Sequence, residues 1–220
     1  MNTTLFMAQQ TQDDSIVTSI PQQIYNIIDE LMDSLPDVVQ LSRTERRGII
    51  ARYTAVLEGN FIYWMTATLL AVQSEDARPI IVDNLREEVR DAHPAMMRRF
   101  AIAASAFPTD LDALAVHEDL TNMRLFLGRL SGVQSLLTMA FFEGFIQKFM
   151  AYLAALAAAQ GSVEMEYTDV HGVCDVEHTD GLFRAFSVEM SVNPPEPGTD
   201  LFEGVNLLHT LIESIVFSRR

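Results

Sequence analysis

The sequence predicts an all-α fold: a single domain of about seven helices. Three observations carry this. Apolar residues recur at helical spacing along nearly the whole chain. Alternating β-branched runs bounded by turn pairs, the mark of strands, are scarce. Hydrophobic residues make up 49% of the 220, enough for a sizeable core and too many for a disordered chain.

Each element follows from a stripe and a break. Residues 1–20 are polar and read as a flexible N-terminal segment, with the domain spanning 21–220. A first helix runs from Pro21 to about Leu35, with Ile24, Ile27, Ile28 and Leu31 as its stripe, and Pro36 ends it. A long helix follows from Ser42 or Arg43 to Val72. A turn of Ser74-Glu-Asp-Ala-Arg-Pro79 leads into a helix over about Ile80 to Ala106, in which Pro94 marks a kink. Thr109 or Asp110 caps a short helix to about His117. A longer one occupies Ser131 to Ala159 and is closed by Gln160-Gly161. The next covers about Val163 to Met190. The stiff loop Asn193-Pro-Pro-Glu-Pro-Gly198 then precedes a final helix, capped by Thr199 or Asp200, to Phe217.

Charge and cysteine usage exclude several classes. Fifteen Lys and Arg stand against 30 Asp and Glu, a net charge of −15. Such a chain lacks the clustered cations that bind nucleic acid or an anionic membrane surface. The one cysteine, Cys174, allows no intrachain disulfide. The first residues carry neither a basic region nor a long apolar run, so no signal peptide is expected. The longest apolar stretch, Val133 to Ala159, is interrupted by Glu143, Gln147 and Lys148, so no membrane span is expected. A cytoplasmic protein acting on a small molecule is the expectation.

The chemistry-bearing residues start with His171, Asp175 and His178. Positions i, i+4 and i+7 of a helix fall within about 60° of one another, so two imidazoles and a carboxylate converge on one face. Iron, manganese and zinc all accept such ligands. Glu143 is the only acid between Asp119 and Glu164, and it stands among Met139, Ala140, Phe141, Phe142, Phe145 and Ile146. Glu58 has Thr54, Ala55, Phe61 and Ile62 as helical neighbours; it is either a ligand or a capped or arginine-paired glutamate. A buried ionised carboxylate without a partner costs several kcal/mol, and a metal ion is a common remedy. His93 follows the acids Asp83, Glu87, Glu88 and Asp91. Glu87 is assigned to the ligand set beside His93, with Asp83 and Glu88 as alternatives. Three histidines and four carboxylates on four helices exceed the needs of one tetrahedral zinc and suit two carboxylate-bridged irons.

The pattern His171-x-x-x-Asp175-x-x-His178, with Asn84-Leu-x-Glu-Glu88 followed by His93, resembles the haem-oxygenase-like diiron oxidases. Glu58 and Glu143 fall where that family places glutamates on its first and middle core helices. The resemblance spans about Glu58 to His178. It implies a seven-helix haem-oxygenase-like bundle, often a homodimer. It also implies two Fe(II)/Fe(III) ions held by Glu58, Glu87, His93, Glu143, His171, Asp175 and His178, with O2 as co-substrate. Activities in the family include N-oxygenation of amines, oxidative fragmentation of amino acids, decarboxylation of fatty acids and nitrile formation.

Phe61, Trp64, Met139 and Phe142, with Met65 and Ile146, are the expected pocket lining, suited to an aromatic or large apolar side chain. An amino-acid-like substrate would need an arginine for its carboxylate, and Arg86, Arg90 and Arg184 are the candidates. Two rivals stand beside the oxidase. One is a thiaminase-like hydrolase on the same fold, for which only Cys174 could be the nucleophile. The other is a non-catalytic helical binding protein.

Overall fold

The computed structural model describes residues 20–217, except the side chains of 173–176. It is helical throughout, with no strand among the described residues. The helices are α1 (20–33), then α2 (Arg43–Leu57), α3 (Asn60–Ala71), α4 (Arg78–Arg90), α5 (His93–Ala103), α6 (Asp110–Leu127), α7 (Gly132–Ala159), α8 (Glu166–Val192) and α9 (Glu203–Phe217).

Among the described residues nine helices therefore stand where about seven were expected, because two long segments each break in the middle. The segment expected over Ser42 to Val72 splits into α2 and α3 at Gly59, which takes a left-handed φ of 80°. The segment expected over Ile80 to Ala106 splits into α4 and α5 at Ala92, with φ of 56°. Pro94 then sits in the first turn of α5, where its missing N–H costs nothing. The glycine adopts its conformation freely, whereas the alanine must be held there by its surroundings. Two further boundaries move: α6 continues to Leu127 instead of stopping near His117, and α9 starts at Glu203, beyond the expected caps Thr199 and Asp200.

Caps set the other starts. Ser42 and Glu45 form a reciprocal capping box at α2, and Thr109 and Asp112 do so at α6. Asp112 also receives two hydrogen bonds from Arg47 at 2.8 and 2.9 Å, which tie α6 to α2.

α7 forms the middle of the domain. Leu136, Leu137, Met139, Ala140, Phe141 and Leu153 are completely enclosed. By length and composition α7 could cross a membrane, yet 67% of its apolar window is buried by the rest of the fold. That pattern is the core helix of a packed domain. α8 runs along α7 over much of its length. α9 packs so closely that a Cβ on Gly204 would lie 2.1 Å from Thr138 Oγ1 and 2.4 Å from the Phe126 ring.

Two buried charges lock the frame. Arg52 donates from Nε to the Ile215 carbonyl at 2.7 Å, fixing the end of α9 against α2. Glu189 on α8 is fully buried. Its carboxylate accepts from the backbone N–H groups of Gln73 and Ser74 and from Asn193 Nδ2. It thereby pins the α3–α4 connection to α8.

Candidate metal centre

The break at Ala92 builds the site. α4 carries Glu88 on its inward side, and the left-handed residue Ala92 redirects the chain so that His93, five residues on, meets it. His93 Nδ1 and Glu88 Oε1 are 2.8 Å apart, and both side chains are buried. α8 supplies His171. Its Nδ1 lies 2.8 Å from the Tyr167 carbonyl, which can only accept, so Nδ1 carries the proton and the neutral ring keeps its lone pair on Nε2. That Nε2 faces Glu88 Oε1 at 3.8 Å. The His93 and His171 rings meet with centroids 4.4 Å apart. One donor atom from each of Glu88, His93 and His171 lies within 4.8 Å of the others, and this buried trio could hold a metal ion.

A second pair adjoins the trio. Glu143, on α7, is buried, and its Oε1 has no hydrogen-bond partner among the described residues. His178 Nδ1 lies 3.9 Å from that oxygen, beyond hydrogen-bond range. The other nitrogen of His178, Nε2, is 2.9 Å from Glu87 Oε2.

Electrostatics separate the two buried carboxylates. Burial alone would raise the Glu88 carboxyl. The nearby His171 and His93 imidazoles, the latter at hydrogen-bond distance, outweigh burial and hold it at about 2. His93 is lowered by burial but raised more strongly by Glu88, with a net upward shift. Glu143 moves the other way: burial pushes it up, His178 opposes, and Glu88 adds to the rise.

A small cavity of about 30 Å³ opens onto these groups, room for roughly two waters or an ion with its water. Glu88, His93, Glu143 and His171 form its polar end. Its walls are Leu57, Phe61, Ile62, Pro94, Met97, Phe142 and Ile146, with the Tyr167 ring on one side. The Tyr167 hydroxyl is 2.7 Å from that of Tyr53 on α2.

The expected site residues thus divide. His93, Glu143, His171 and His178 come together. Glu88, left as an alternative by the sequence, occupies the position beside His93. Glu87 sits one residue away against His178, with its side chain 40% exposed. Asp83 faces outward against Arg86. Glu58 is the C-cap of α2 and pairs with Arg98 of α5, away from the cavity lining; the break at Gly59 turns it off the inner face. The Asp175 side chain, like that of Cys174, lies outside the described residues. Phe61 and Phe142 line the cavity. Trp64 and Met139 do not, and are fully enclosed in the core. Trp64 meets Phe142 edge-on at 5.3 Å. Of the expected anchors, Arg86 and Arg90 are engaged on the surface by Asp83 and Asp91, Arg184 is exposed, and none reaches the cavity. Sequence reasoning missed Tyr167, Pro94 and Met97. Tyr167 lies one helical turn before His171, and that spacing was a usable signal.

No family model, curated protein or solved structure matches this chain.

Proposed function

We propose that this chain is a non-haem, O2-dependent diiron oxidoreductase on a haem-oxygenase-like helical bundle. One observation carries the reading. Two carboxylate–imidazole pairs, Glu88 with His171 and Glu143 with His178, stand 3.8 and 3.9 Å apart side by side in the interior. Those gaps exceed a hydrogen bond. Metal–ligand bonds of about 2.1 Å put two donors of one ion roughly 3–4 Å apart. The oxygen and imidazole donors are those iron takes, and Glu143 Oε1 is a buried acceptor with no hydrogen-bond partner among the described residues.

Bound ferrous iron supplies electrons and open coordination positions for O2 chemistry. The chain's residues do the rest. Glu88 presents its carboxylate to His93 and His171, and Glu143 presents its own to His178. The Tyr167 carbonyl fixes the His171 ring. Leu57, Phe61, Ile62, Met97, Phe142 and Ile146 exclude water and accept an apolar group. The substrate is amino-acid-like with an aromatic or large apolar side chain, matched to these walls in chemistry, and the cavity of about 30 Å³ would have to widen to admit it. Its oxidation would be N-oxidation, C–C cleavage or nitrile formation. With no arginine among the described residues that line the cavity, its polar end would meet the Glu88, His93, Glu143 and His171 end.

The test is anaerobic titration with Fe(II), metal counting, then O2 uptake with and without candidate amino acids. Two ferrous ions per chain and O2 consumption are expected. One ion or none, with no O2 consumption, overturns the proposal.

A further inference from the structure

Most residues that line the cavity are buried, but Gly59 is exposed and Ile62 and Pro94 are half-buried. The cavity therefore meets solvent between the α2–α3 turn and the first turn of α5. Glu58 directly precedes Gly59, and Arg98 stands one helical turn beyond Pro94. A long helical side chain leans back over the turn before its own Cα, which carries the Arg98 guanidinium toward Pro94. Nε and Nη2 of Arg98 both contact Glu58 Oε1. The pair thus bridges the mouth, with the Arg98 side chain 58% exposed and that of Glu58 28%.

We infer that Arg98 is a specificity-determining residue that binds the carboxylate of the amino-acid-like substrate, and that Glu58 occupies its guanidinium until a substrate carboxylate replaces it. The inference rests on the substrate reading above and deepens it. An arginine fork matches a carboxylate with two parallel hydrogen bonds, so a guanidinium that already holds one carboxylate can take another. An ion pair as exposed as this one is weak, and an entering carboxylate displaces Glu58 readily. Breaking the pair also releases the α2–α3 turn from α5. Those are the two walls that must part for a cavity of about 30 Å³ to widen. With its carboxylate held at the mouth, the substrate turns its amine toward Glu88 and His171. Its apolar side chain then lies against Phe61, Met97 and Phe142.

Calorimetric titration of the metal-free protein tests this with phenylalanine, with phenylpropanoate, which lacks the amine, and with phenethylamine, which lacks the carboxylate. Trp64, the one tryptophan of the chain, packs on the cavity-lining Phe142, and its fluorescence reports that a probe has entered. Arg98→Ala should weaken both carboxylate probes about 10–100-fold and leave phenethylamine unchanged. Arg98→Lys should recover part of that loss. Glu58→Gln removes the competing charge and should tighten both carboxylate probes by up to about 5-fold. Carboxylate affinity that Arg98→Ala leaves unchanged overturns the inference. An equal loss for phenethylamine also overturns it, because a merely structural role would weaken every probe alike. A wild type that binds none of the probes sinks it too. Failure of the metal-centre reading looks different: a chain that takes up no iron yet binds the carboxylates through Arg98 keeps the anchor and loses the oxidoreductase.

Discussion

Glu143 Oε1 lies 3.9 Å from His178 Nδ1 and accepts no hydrogen bond among the described residues. A buried carboxylate left in this state is a cost the fold carries for its site. Burial raises its folded pKa above the ordinary 4.5, against the opposing pull of His178. The sign follows: the penalty is absent below about pH 4.5 and grows as pH rises through the raised value. Glu143→Gln removes the charge and keeps the shape. The metal-free variant should be about 1–2 kcal/mol more stable than wild type at pH 7.5, a gain of roughly 2–8 °C in Tm. The gap should shrink at pH 4.5. Urea unfolding at both pH values measures it; an equal or less stable variant at pH 7.5 would show that the carboxylate is satisfied.

Glu88 and His93 give the opposite dependence. Glu88 is held at about 2 against its usual 4.5, so its contribution is present above pH 4.5 and lost as pH falls toward 2. His93 is raised above its usual 6.5, so its contribution is present below pH 6.5 and lost as pH rises through the higher folded value. Their joint stabilisation of the metal-free protein is therefore greatest between about pH 4.5 and 6.5. A divalent ion must displace the His93 proton, so metal affinity should rise with pH above that window, with proton release on binding. Calorimetric titration of Co(II) in buffers of different ionisation enthalpy counts the protons. Affinity that does not change between pH 6 and 8 would remove His93 from the ligand set.

The fold class and the helical stripes were legible because burial imposes a 3.6-residue period that nothing on α1, α7 or α8 interrupts. Glu143 was legible because a lone acid among Met139, Ala140 and Phe142 has no solvent to explain it. The breaks were harder. Gly59 lies inside an otherwise continuous apolar pattern, and Ala92 adopts a conformation that alanine does not advertise. Those two turns decide which acids face inward. Had α4 and α5 been one helix, Asp83 would have lain nearest the direction of His93. The break at Ala92 brings in Glu88 instead. The break at Gly59 likewise turns Glu58 toward Arg98. Long-range packing sets both turns, and no local spacing rule reports them.

Glu58 pairs with Arg98 across the gap between the α2–α3 turn and α5. Its side chain is 28% exposed, so the pair contributes no more than about 1 kcal/mol. Glu58→Gln should leave Co(II) stoichiometry unchanged and lower stability by that amount or less. Loss of one bound ion in this variant would mean that Glu58 turns inward on metal binding. Metal analysis after gel filtration separates these outcomes.

Glu189 is the site's distant support. Its buried carboxylate is the acceptor for the N–H groups of Gln73 and Ser74, the latter at 2.8 Å. Those residues lead into α4, whose far end carries Glu87 and Glu88. Glu189→Ala would orphan two backbone donors and open a space beside Gly132, whose hydrogen-side face abuts Glu189 Oε1. A loss of about 3–5 kcal/mol is expected, from unsatisfied donors plus the vacated volume. Glu189→Gln keeps one acceptor oxygen and should lose less than half of that. Hydrogen exchange should report fast opening at Gln73 and Ser74 in the alanine variant. Faster exchange should also spread along α4, because the loop that registers α4 against α8 would be released. Unchanged protection in α4 would show that α4 is held by its own packing on α3 and α8, and that the metal-facing acids do not depend on this anchor.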